Sequence, residues 1–203
     1  RRFILVQLPE EVSEENSSSE KSKKVARSAI ELCDQLGVPH TICEIGKERI
    51  RRASAEVKAQ NPIICQGLDM GFRVLKCDTS NMKDVYYSPS DYELSMFDTL
   101  ADNIKEARTA EDLLFQIMLD LGIELSSNIE ETFIAGKKVF DVADGFLMAC
   151  FDANVNDETI KAIAQKQPYY FVMRDSSLEN DSVATNFDQI FSTYSPDTIR
   201  KVL

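Results

Sequence analysis

The chain has 203 residues, 43% of them hydrophobic and 28% charged, which is typical of a globular protein with enough apolar side chains for a core. It contains neither the roughly 18 consecutive apolar residues that span a bilayer nor a basic and apolar leader, so we expect neither a membrane nor a secreted protein. The net charge of -11 is uneven, because residues 1–85 carry +1 and residues 86–203 carry -12. The second half is therefore a poor surface for nucleic-acid phosphates, whereas the first half remains a candidate.

The first predicted element is a strand at residues 3–8, an apolar run ended by Pro9 and typical of a strand buried on both faces. Since no segment precedes it to bury it, we expect Arg1 to be a cut point in a longer polypeptide. An N-terminal strand in the centre of its sheet is the alternative. Residues 10–20, rich in Glu and Ser, are expected to form a mobile surface loop, with a phosphorylated tail as the alternative.

Two amphipathic helices are predicted next, over residues 24–36 and 42–59. In the second, Glu48 is spaced to pair with Arg51 and Arg52. Lys47, Arg51 and Lys58 form a basic stripe, which is either a solvated helix face or a contact to DNA phosphate. Residues 72–77, after Gly71, are predicted to form a second buried strand. Their apolar positions are Phe72, Val74, Leu75 and Cys77.

Turn-forming residues and a short amphipathic piece at residues 96–104 predict a connector over residues 86–108, with a boundary near residue 105. A second unit then spans residues 109–203. It begins with a helix that Thr109 caps and Gly122 ends. Strands are predicted at 131–135, 138–143, 146–151, 169–173 and 199–203, with helices after Asn156 and over 181–191. The order βββαβαβ after the first helix indicates a small α/β domain.

Chemical motifs are few. The five cysteines form no CxxC pair, which indicates reduced, cytoplasmic thiols, and His40 with Cys43 lacks the further ligands of a zinc site, so no metal is expected. No nucleophile elbow, phosphate loop or HExxH motif occurs. Residues 174–177, Arg-Asp-Ser-Ser, follow a predicted strand where α/β sheets often bind ligands, and they form either a small-molecule site or a capped turn.

Several segments, in order along nearly the whole chain, resemble the C-terminal part of the modification (Mod) subunit of type III restriction-modification systems. They are RRFILVQLPE (1–10), TICEIGKERIRRA (41–53), GFRVLKCDTSN (71–81), RTAEDLLFQIMLDLGIEL (108–125), KKVFDVADGFLMACFD (137–152) and FVMRDSSLENDSVATNFDQIF (171–191). That family consists of adenine-specific DNA methyltransferases that use S-adenosylmethionine. The resemblance implies that residues 1–85 are the end of a Rossmann-like methyltransferase domain.

The family's catalytic Asp-Pro-Pro-Tyr motif and its Phe-x-Gly-x-Gly cofactor loop both precede the matching region, and neither occurs here. The resemblance therefore implies that catalytic residues lie outside this chain, and we expect the isolated fragment to be inactive and to bind no cofactor. It also implies a cofactor-binding role for Gln7, in the place of a ribose-binding carboxylate, and for Leu8, packed on the adenine. A Gln amide accepts one hydrogen bond without the strength of a carboxylate, so Gln7 is either such a ligand or the end of a strand.

For residues 109–203, the resemblance and the acidic charge together favour protein contacts, namely Mod self-association or docking of the restriction subunit. DNA is then a partner of the parent protein through the first half. The alternative is a free-standing cytosolic α/β interaction or regulatory module without catalytic activity. That alternative requires a complete sheet around residues 3–8 within the 203 residues.

Overall fold

The structure is a computed structural model that describes residues 3–16, 18–83 and 103–203. It divides into two units, Arg1–Lys76 and Cys77–Leu203. The predicted connector, residues 86–108, lies mostly outside the described residues, as does the amphipathic piece at 96–104 apart from its last two positions. No helix in the described segments is both long and apolar enough to cross a membrane.

Two helices form the first unit, α1 (Glu20–Leu36) and α2 (Ile42–Gln60). The hydroxyl of Ser19 accepts a hydrogen bond from the amide of Ser22 at the start of α1, and Gly37, with φ 64°, ends the helix in the left-handed conformation. Thr41 caps α2 in the same way as Ser19 caps α1. Both predicted helices are therefore confirmed, with α1 beginning four residues earlier than expected.

The apolar faces of these helices are poorly covered. Within the described part of the first unit, Ala26 and Cys33 are the buried hydrophobic residues, and both belong to α1. α2 has no buried residue, and its Ile42 and Val57 are exposed. The spacing of apolar residues thus correctly predicted the helices. Most of these apolar side chains are nevertheless not buried in the described part of this unit.

Both strand predictions for the first unit are wrong. Residues 3–8 and 72–76 have no regular secondary structure, and Ile4 and Val6 are more than 90% exposed. The physical reason is that a strand needs neighbouring strands to pair its backbone groups, and the described residues of this unit contain none. Residue 77, the last of the second predicted strand, is also irregular.

The second unit is an α/β domain with a five-stranded mixed sheet. The α-helices in its described residues are α3 (Ala110–Asp120), α4 (Asp157–Ala164) and α5 (Asp181–Tyr194). Its strands are β1 (Ile129–Ile134), β2 (Lys137–Val142), β3 (Leu147–Cys150), β4 (Tyr170–Met173) and β5 (Ile199–Val202), and they lie side by side in chain order. The first three strands are antiparallel, whereas β3, β4 and β5 run parallel, with α4 and α5 as the crossovers.

The core of the second unit lies on both faces of the sheet. Met148 and Cys150 of β3 pack with α4 and α5, while the alternate residues Leu147 and Ala149 pack with α3. A strand buried on both faces is expected to be apolar throughout, and all four residues of β3 are buried. This explains why the apolar run at 146–151 was recognisable as a strand in the sequence.

Every element predicted for the second unit is present, with ends shifted by up to three residues. Two loops connect the antiparallel strands. Ala135 and Gly136, with φ of 48° and 79°, make a two-residue hairpin that joins Ile134 to Lys137. Asp144 and Gly145 lie inside a four-residue loop, because the ladder between β2 and β3 begins at Val142 and Leu147.

Candidate nucleic-acid interface

The three residues of the predicted basic stripe have different surroundings on α2. Lys47 is mostly buried and forms an ion pair with Glu44 at 2.5 Å. Arg51 lies 3.8 Å from the Glu48 carboxylate, which Arg52 also contacts at 2.7 Å, as the spacing predicted. Lys58 is exposed two turns further along the helix. Of the stripe, Arg51 and Lys58 are therefore the groups best placed to meet a ligand.

Arg51 and Lys58 line the same groove. It has a volume of about 420 Å³, and its walls are one face of α2 and the irregular segment at residues 70–74. On the helix side the lining residues are Arg51, Ser54, Ala55 and Lys58, and on the other side they are Met70, Gly71, Phe72 and Val74. The spacing 51, 54, 55 and 58 corresponds to one face of a helix, so a regular α2 is sufficient to align the first wall.

Two contacts hold the second wall in place. The hydroxyl of Ser54 donates to the carbonyl oxygen of Met70 at 3.3 Å, and the amide of Gly71 donates to the carboxylate of Asp69 at 2.9 Å. The Arg51 guanidinium lies 5.7 Å from the centre of the Phe72 ring, within the range of a cation–π contact. Phe72, expected in a strand, is thus a wall of this groove.

Two cations, Arg51 and Lys58, are among the residues that line the groove. The carboxylates of Glu48 and Asp69 lie beside it, in contact with Arg51 and Gly71. Positions 51 and 58 are two helical turns apart, about 10 Å along the axis, so the two cations can contact separate phosphates of one nucleic-acid strand. An aromatic ring next to a guanidinium is also a surface on which a base can stack. These features make the groove a candidate site for a nucleic-acid strand.

The predicted cofactor residues lie on the exposed N-terminal segment. Leu8 is 70% exposed, and the side-chain amide of Gln7 donates to the Leu8 carbonyl oxygen at 3.1 Å. The thiol of Cys43 donates to the carbonyl oxygens of Gln7 at 3.7 Å and Leu8 at 3.5 Å, and so holds this segment against the start of α2. Neither residue lines the groove. Gln7 and Leu8, which are neighbours in the sequence, thus lie on a surface rather than in a pocket.

The other residues that the sequence analysis considered as possible ligands, His40, Cys43 and residues 174–177, form hydrogen bonds within the protein. His40 contacts the Asp34 carboxylate at 2.7 Å, while Cys43 bonds the N-terminal segment as described. Within the described residues, no group of three or more His, Cys, Asp or Glu side chains is arranged to hold a metal ion. Residues 174–177 form a short 3-10 turn, in which the amide of Asp175 donates to Leu203 and the carbonyl of Ser177 accepts from Val155.

Residues 174–177 do not cap the next helix. Asn180 does so, accepting hydrogen bonds from the amides of Ser182 and Val183. The backbone of the turn is instead bonded to Leu203, which follows β5, and to Val155, which precedes α4.

The sequence indicated one wall of the groove but not the other. The basic stripe was visible as charge periodicity on α2, whereas Met70, Gly71 and Phe72 join the site because segment 70–74 lies along the helix. Nothing in the local pattern of this segment identified what it would contact. A comparison with known protein-family models and a search of curated protein sequences both find no match to this chain.

Proposed function

We propose that this chain is part of an adenine-specific DNA methyltransferase, the modification subunit of a type III restriction-modification system. Its first unit would complete an S-adenosylmethionine-dependent domain and contact DNA phosphates through the groove on α2. Its second unit would hold subunits together. The observation that carries the proposal is the groove itself, with Arg51, Lys58 and Phe72 on its walls and no carboxylate among its lining residues.

The charge distribution supports the division of roles. Residues 1–76 carry 13 Lys and Arg against 11 Asp and Glu, whereas residues 77–203 carry 10 against 23, a net charge of -13. A DNA duplex repels a surface of that sign, so DNA contacts are assigned to the first unit and protein contacts to the second. The ordered similarity of six segments to the type III modification subunits is the sequence support for the same assignment.

The exposed N-terminal segment also favours this interpretation over a free-standing module. A complete module would cover the apolar side chains of residues 3–8, yet Phe3, Ile4, Leu5, Val6 and Leu8 are all more than 60% exposed. An apolar surface of this kind is expected where further strands of a larger domain would pack. The alternative, an interaction module without catalysis, is best supported by the second unit, which has its own sheet and core.

In the proposed parent reaction, a methyl group passes to the exocyclic amine of an adenine that has been flipped out of the duplex. The groove residues would bind and orient the backbone of that duplex, a role in positioning rather than in chemistry. The Asp-Pro-Pro-Tyr motif of the family is not in this sequence, so the reacting groups are assigned to a region outside these 203 residues. The second unit would contribute no group to the transfer.

S-adenosylmethionine would supply the methyl group when bound, but the residues present do not by themselves fit it. Gln7 offers a neutral amide where the family has a carboxylate, and Leu8 is exposed and forms no wall of an adenine pocket. A cofactor site at Gln7 and Leu8 would therefore need residues from the rest of the proposed methyltransferase domain. We derive no step of the reaction through this site.

The methylation test compares two proteins. The 203-residue chain is expected to transfer no methyl group from radiolabelled S-adenosylmethionine to DNA. A longer product, which includes the coding region in frame upstream of Arg1, is expected to methylate adenine and to contain the glycine loop and the Asp-Pro-Pro-Tyr motif. Robust methylation by the short chain, or an upstream region without these motifs, would contradict the proposal.

The groove can be tested separately in the 203-residue chain by fluorescence anisotropy with a labelled DNA duplex. Arg51→Gln and Lys58→Gln are each expected to weaken binding and to reduce the slope of log affinity against log salt by about one. The matched controls are Arg49→Gln, on the same helix, and Lys21→Gln on α1, both outside the groove. Equal losses in the controls and the groove variants would remove the groove from the DNA interface.

Assembly of subunits gives a third test. Alanine substitutions on the exposed face of α3 are expected to weaken association of modification subunits with one another or with the restriction subunit. Unchanged assembly, measured by light scattering coupled to gel filtration, would count against the role of α3.

A further inference from the structure

A second cavity, of about 480 Å³, lies at the edge of the sheet where β4 and β5 begin. Three loops line it: the loop between β2 and β3, the segment before β4 and the segment before β5. The lining residues are Ala143, Asp144, Gly145, Phe146, Gln167, Pro168, Tyr169, Ser195, Pro196, Asp197 and Thr198. It lies at the amino ends of parallel strands, away from the turn at residues 174–177, and the proposed DNA contacts do not use it.

Exposed aromatic rings form one side of this cavity. Phe146 and Tyr169 stack with their centres 5.1 Å apart and their planes 5° from parallel, and they remain 41% and 51% exposed. Tyr170 meets the two rings edge-on, at 5.6 Å from Phe146 and 4.8 Å from Tyr169. Two large rings that stack on each other and stay accessible present a flat π surface to a ligand, and such a surface attracts cations.

The frame around the rings is fixed by hydrogen bonds across the three loops. The amide of Tyr169 donates to Gly145, and the amide of Ile199 donates to Tyr169, at 3.1 and 2.9 Å. Below them, the buried hydroxyl of Thr198 donates to the carbonyl of Pro168 at 2.5 Å and shares a 2.6 Å hydrogen bond with Ser195. Rings held in this way lose little freedom when a ligand binds.

The loops around the cavity also contain residues with positive backbone φ angles. Within the described residues, five non-glycine positions have positive φ, and three of them, Ala143, Asp144 and Gln167, line this cavity. Such conformations are unfavourable for residues with a side chain and are maintained where the surrounding structure fixes them. The shape of the cavity is thus set by the fold of the second unit.

The charge of the cavity decides what it can bind. The charged side chains among its lining residues are Asp144 and Asp197, both exposed carboxylates, and no basic side chain is among the residues that line it. The surrounding unit has a net charge of -13. A phosphate or a nucleic-acid strand is repelled by this arrangement, whereas a planar guanidinium can stack on the rings and hydrogen-bond to a carboxylate.

We propose that this cavity binds an arginine side chain in a basic segment of a partner protein. The proposal rests on the function proposed above for the second unit, namely protein contacts, and it specifies the place and the chemistry of one such contact. Arginine is favoured over lysine because the guanidinium is planar, can stack on the exposed face of Tyr169 or Phe146, and offers several donors to the carboxylates.

The experiment uses the 203-residue chain and labelled heptapeptides, GGRGRGG as the probe with GGKGKGG and GGEGEGG for comparison. Amide NMR spectra are expected to show shifts at Gly145, Phe146, Tyr169 and Thr198 on addition of the arginine peptide, smaller shifts with the lysine peptide and none with the glutamate peptide. Fluorescence anisotropy is expected to show weaker arginine-peptide binding at higher salt.

Three variants identify the groups involved. Asp197→Asn and Tyr169→Leu are each expected to weaken binding of the arginine peptide by about 3- to 10-fold, the size expected for one cation–π or charge contact. Glu106→Gln, the matched control, removes one exposed charge from the same unit outside the cavity and is expected to leave affinity unchanged. Far-UV circular dichroism checks that each variant is folded, and Asp144→Asn provides a second charge variant if Asp197→Asn is not.

Three results would overturn the proposal: no shifts at the cavity residues with the arginine peptide, equal shifts with the glutamate peptide, or equal losses in Asp197→Asn and Glu106→Gln. Shifts of the same residues by a DNA oligonucleotide would also contradict it, because the cavity would then bind nucleic acid. Methylation by the longer protein needs no group from this cavity, so failure of the arginine proposal is distinguishable from failure of the methyltransferase proposal.

Discussion

The two units of this chain have comparable helices but very different interiors. In the second unit, apolar residues on both faces of the sheet are buried, including Phe140, Phe171 and Phe191. In the described part of the first unit, two long helices leave Ala26 and Cys33 as the buried hydrophobic residues. Because hydrophobic burial is the dominant favourable term in folding, the second unit has its own source of stability and the first has little.

The difference teaches that helix formation and unit stability are separate properties. α1 and α2, of 17 and 19 residues, have caps and amphipathic sequences that favour helix formation. They lack a surface to bury their apolar faces. The described residues of the first unit therefore leave apolar helix faces exposed, whereas those of the second unit bury theirs against a sheet.

The largest expected effect is from truncation in the core of the second unit. Phe171 is fully buried and packs against Phe191 at 5.2 Å, so Phe171→Ala is expected to lower the free energy of unfolding by about 3–5 kcal/mol. Val6→Ser, a substitution at an exposed position of the first unit, is expected to change it by less than about 0.5 kcal/mol.

The chain itself provides a probe for this comparison. It has no Trp, and none of its six Tyr residues lies in residues 1–76, so tyrosine fluorescence during urea unfolding reports the second unit. Far-UV circular dichroism reports helices of both units. We expect the two transitions not to coincide. Equal destabilisation by Phe171→Ala and Val6→Ser would mean that the first unit has a core as important as that of the second.

A smaller effect is expected from the helix caps. Thr109 and Asp112 bond each other's backbone amides in a capping box at the start of α3, at 3.2 and 2.8 Å. Thr109→Ala is expected to lower the stability of the second unit by about 1 kcal/mol, measured by tyrosine fluorescence. Thr41→Ala, which removes the equivalent cap of α2, is expected to reduce helix content without moving that transition. A shift of the transition by Thr41→Ala would show that the two units unfold together.

The smallest effect concerns pH. Hydrogen bonds from the backbone and the hydroxyl of Thr109 hold the pKa of Asp112 below its usual value of 3.8. A lowered pKa means that the folded state favours the carboxylate, so this stabilisation is present above about pH 4 and is lost as the pH falls through the lowered pKa. Because Asp112 is only partly buried and solvent screens its charge, the contribution is expected to be well below ~1 kcal/mol.

Asp112→Asn is therefore expected to flatten the acid side of the pH–stability curve of the second unit. Glu14 in the first unit provides the comparison, since its hydrogen bond to Arg27 also lowers its pKa. Glu14→Gln is expected to leave the tyrosine-fluorescence transition unchanged at every pH. A steeper acid loss in Asp112→Asn than in the original chain would contradict the assigned sign.

The comparison also explains how far the sequence could predict the fold. The α-helices and strands that the structure describes in residues 109–203 were predicted because each finds its partners within that part of the chain, so local pattern and tertiary structure agree. Strands at residues 3–8 and 72–77 were predicted from the same kind of pattern and are wrong. Apolar runs indicate that burial is favourable, but a strand also needs a neighbour that the local sequence does not supply.

The candidate sites, too, could be predicted only where the local sequence determines them. The basic stripe of α2 could be predicted because Lys47, Arg51 and Lys58 lie on one helix. The aromatic cavity could not, since Phe146, Tyr169 and Asp197 are far apart in the sequence and meet only when β3, β4 and β5 align. The ion pair of Lys47 with Glu44, which leaves Lys47 less available to a ligand, could not be predicted either. Several rotamers of both side chains were compatible with the spacing.

The most direct test of the contrast between the units is amide hydrogen exchange of the intact chain, followed by mass spectrometry or NMR. We expect amides of β3 and β4 to be protected by the full unfolding free energy of the second unit, and amides of α1 and α2 to exchange much faster. Amides of residues 3–8 are expected to exchange nearly without protection. Equal protection of α2 and β4 would contradict the account, because it would show that the first unit is stabilised as strongly as the second.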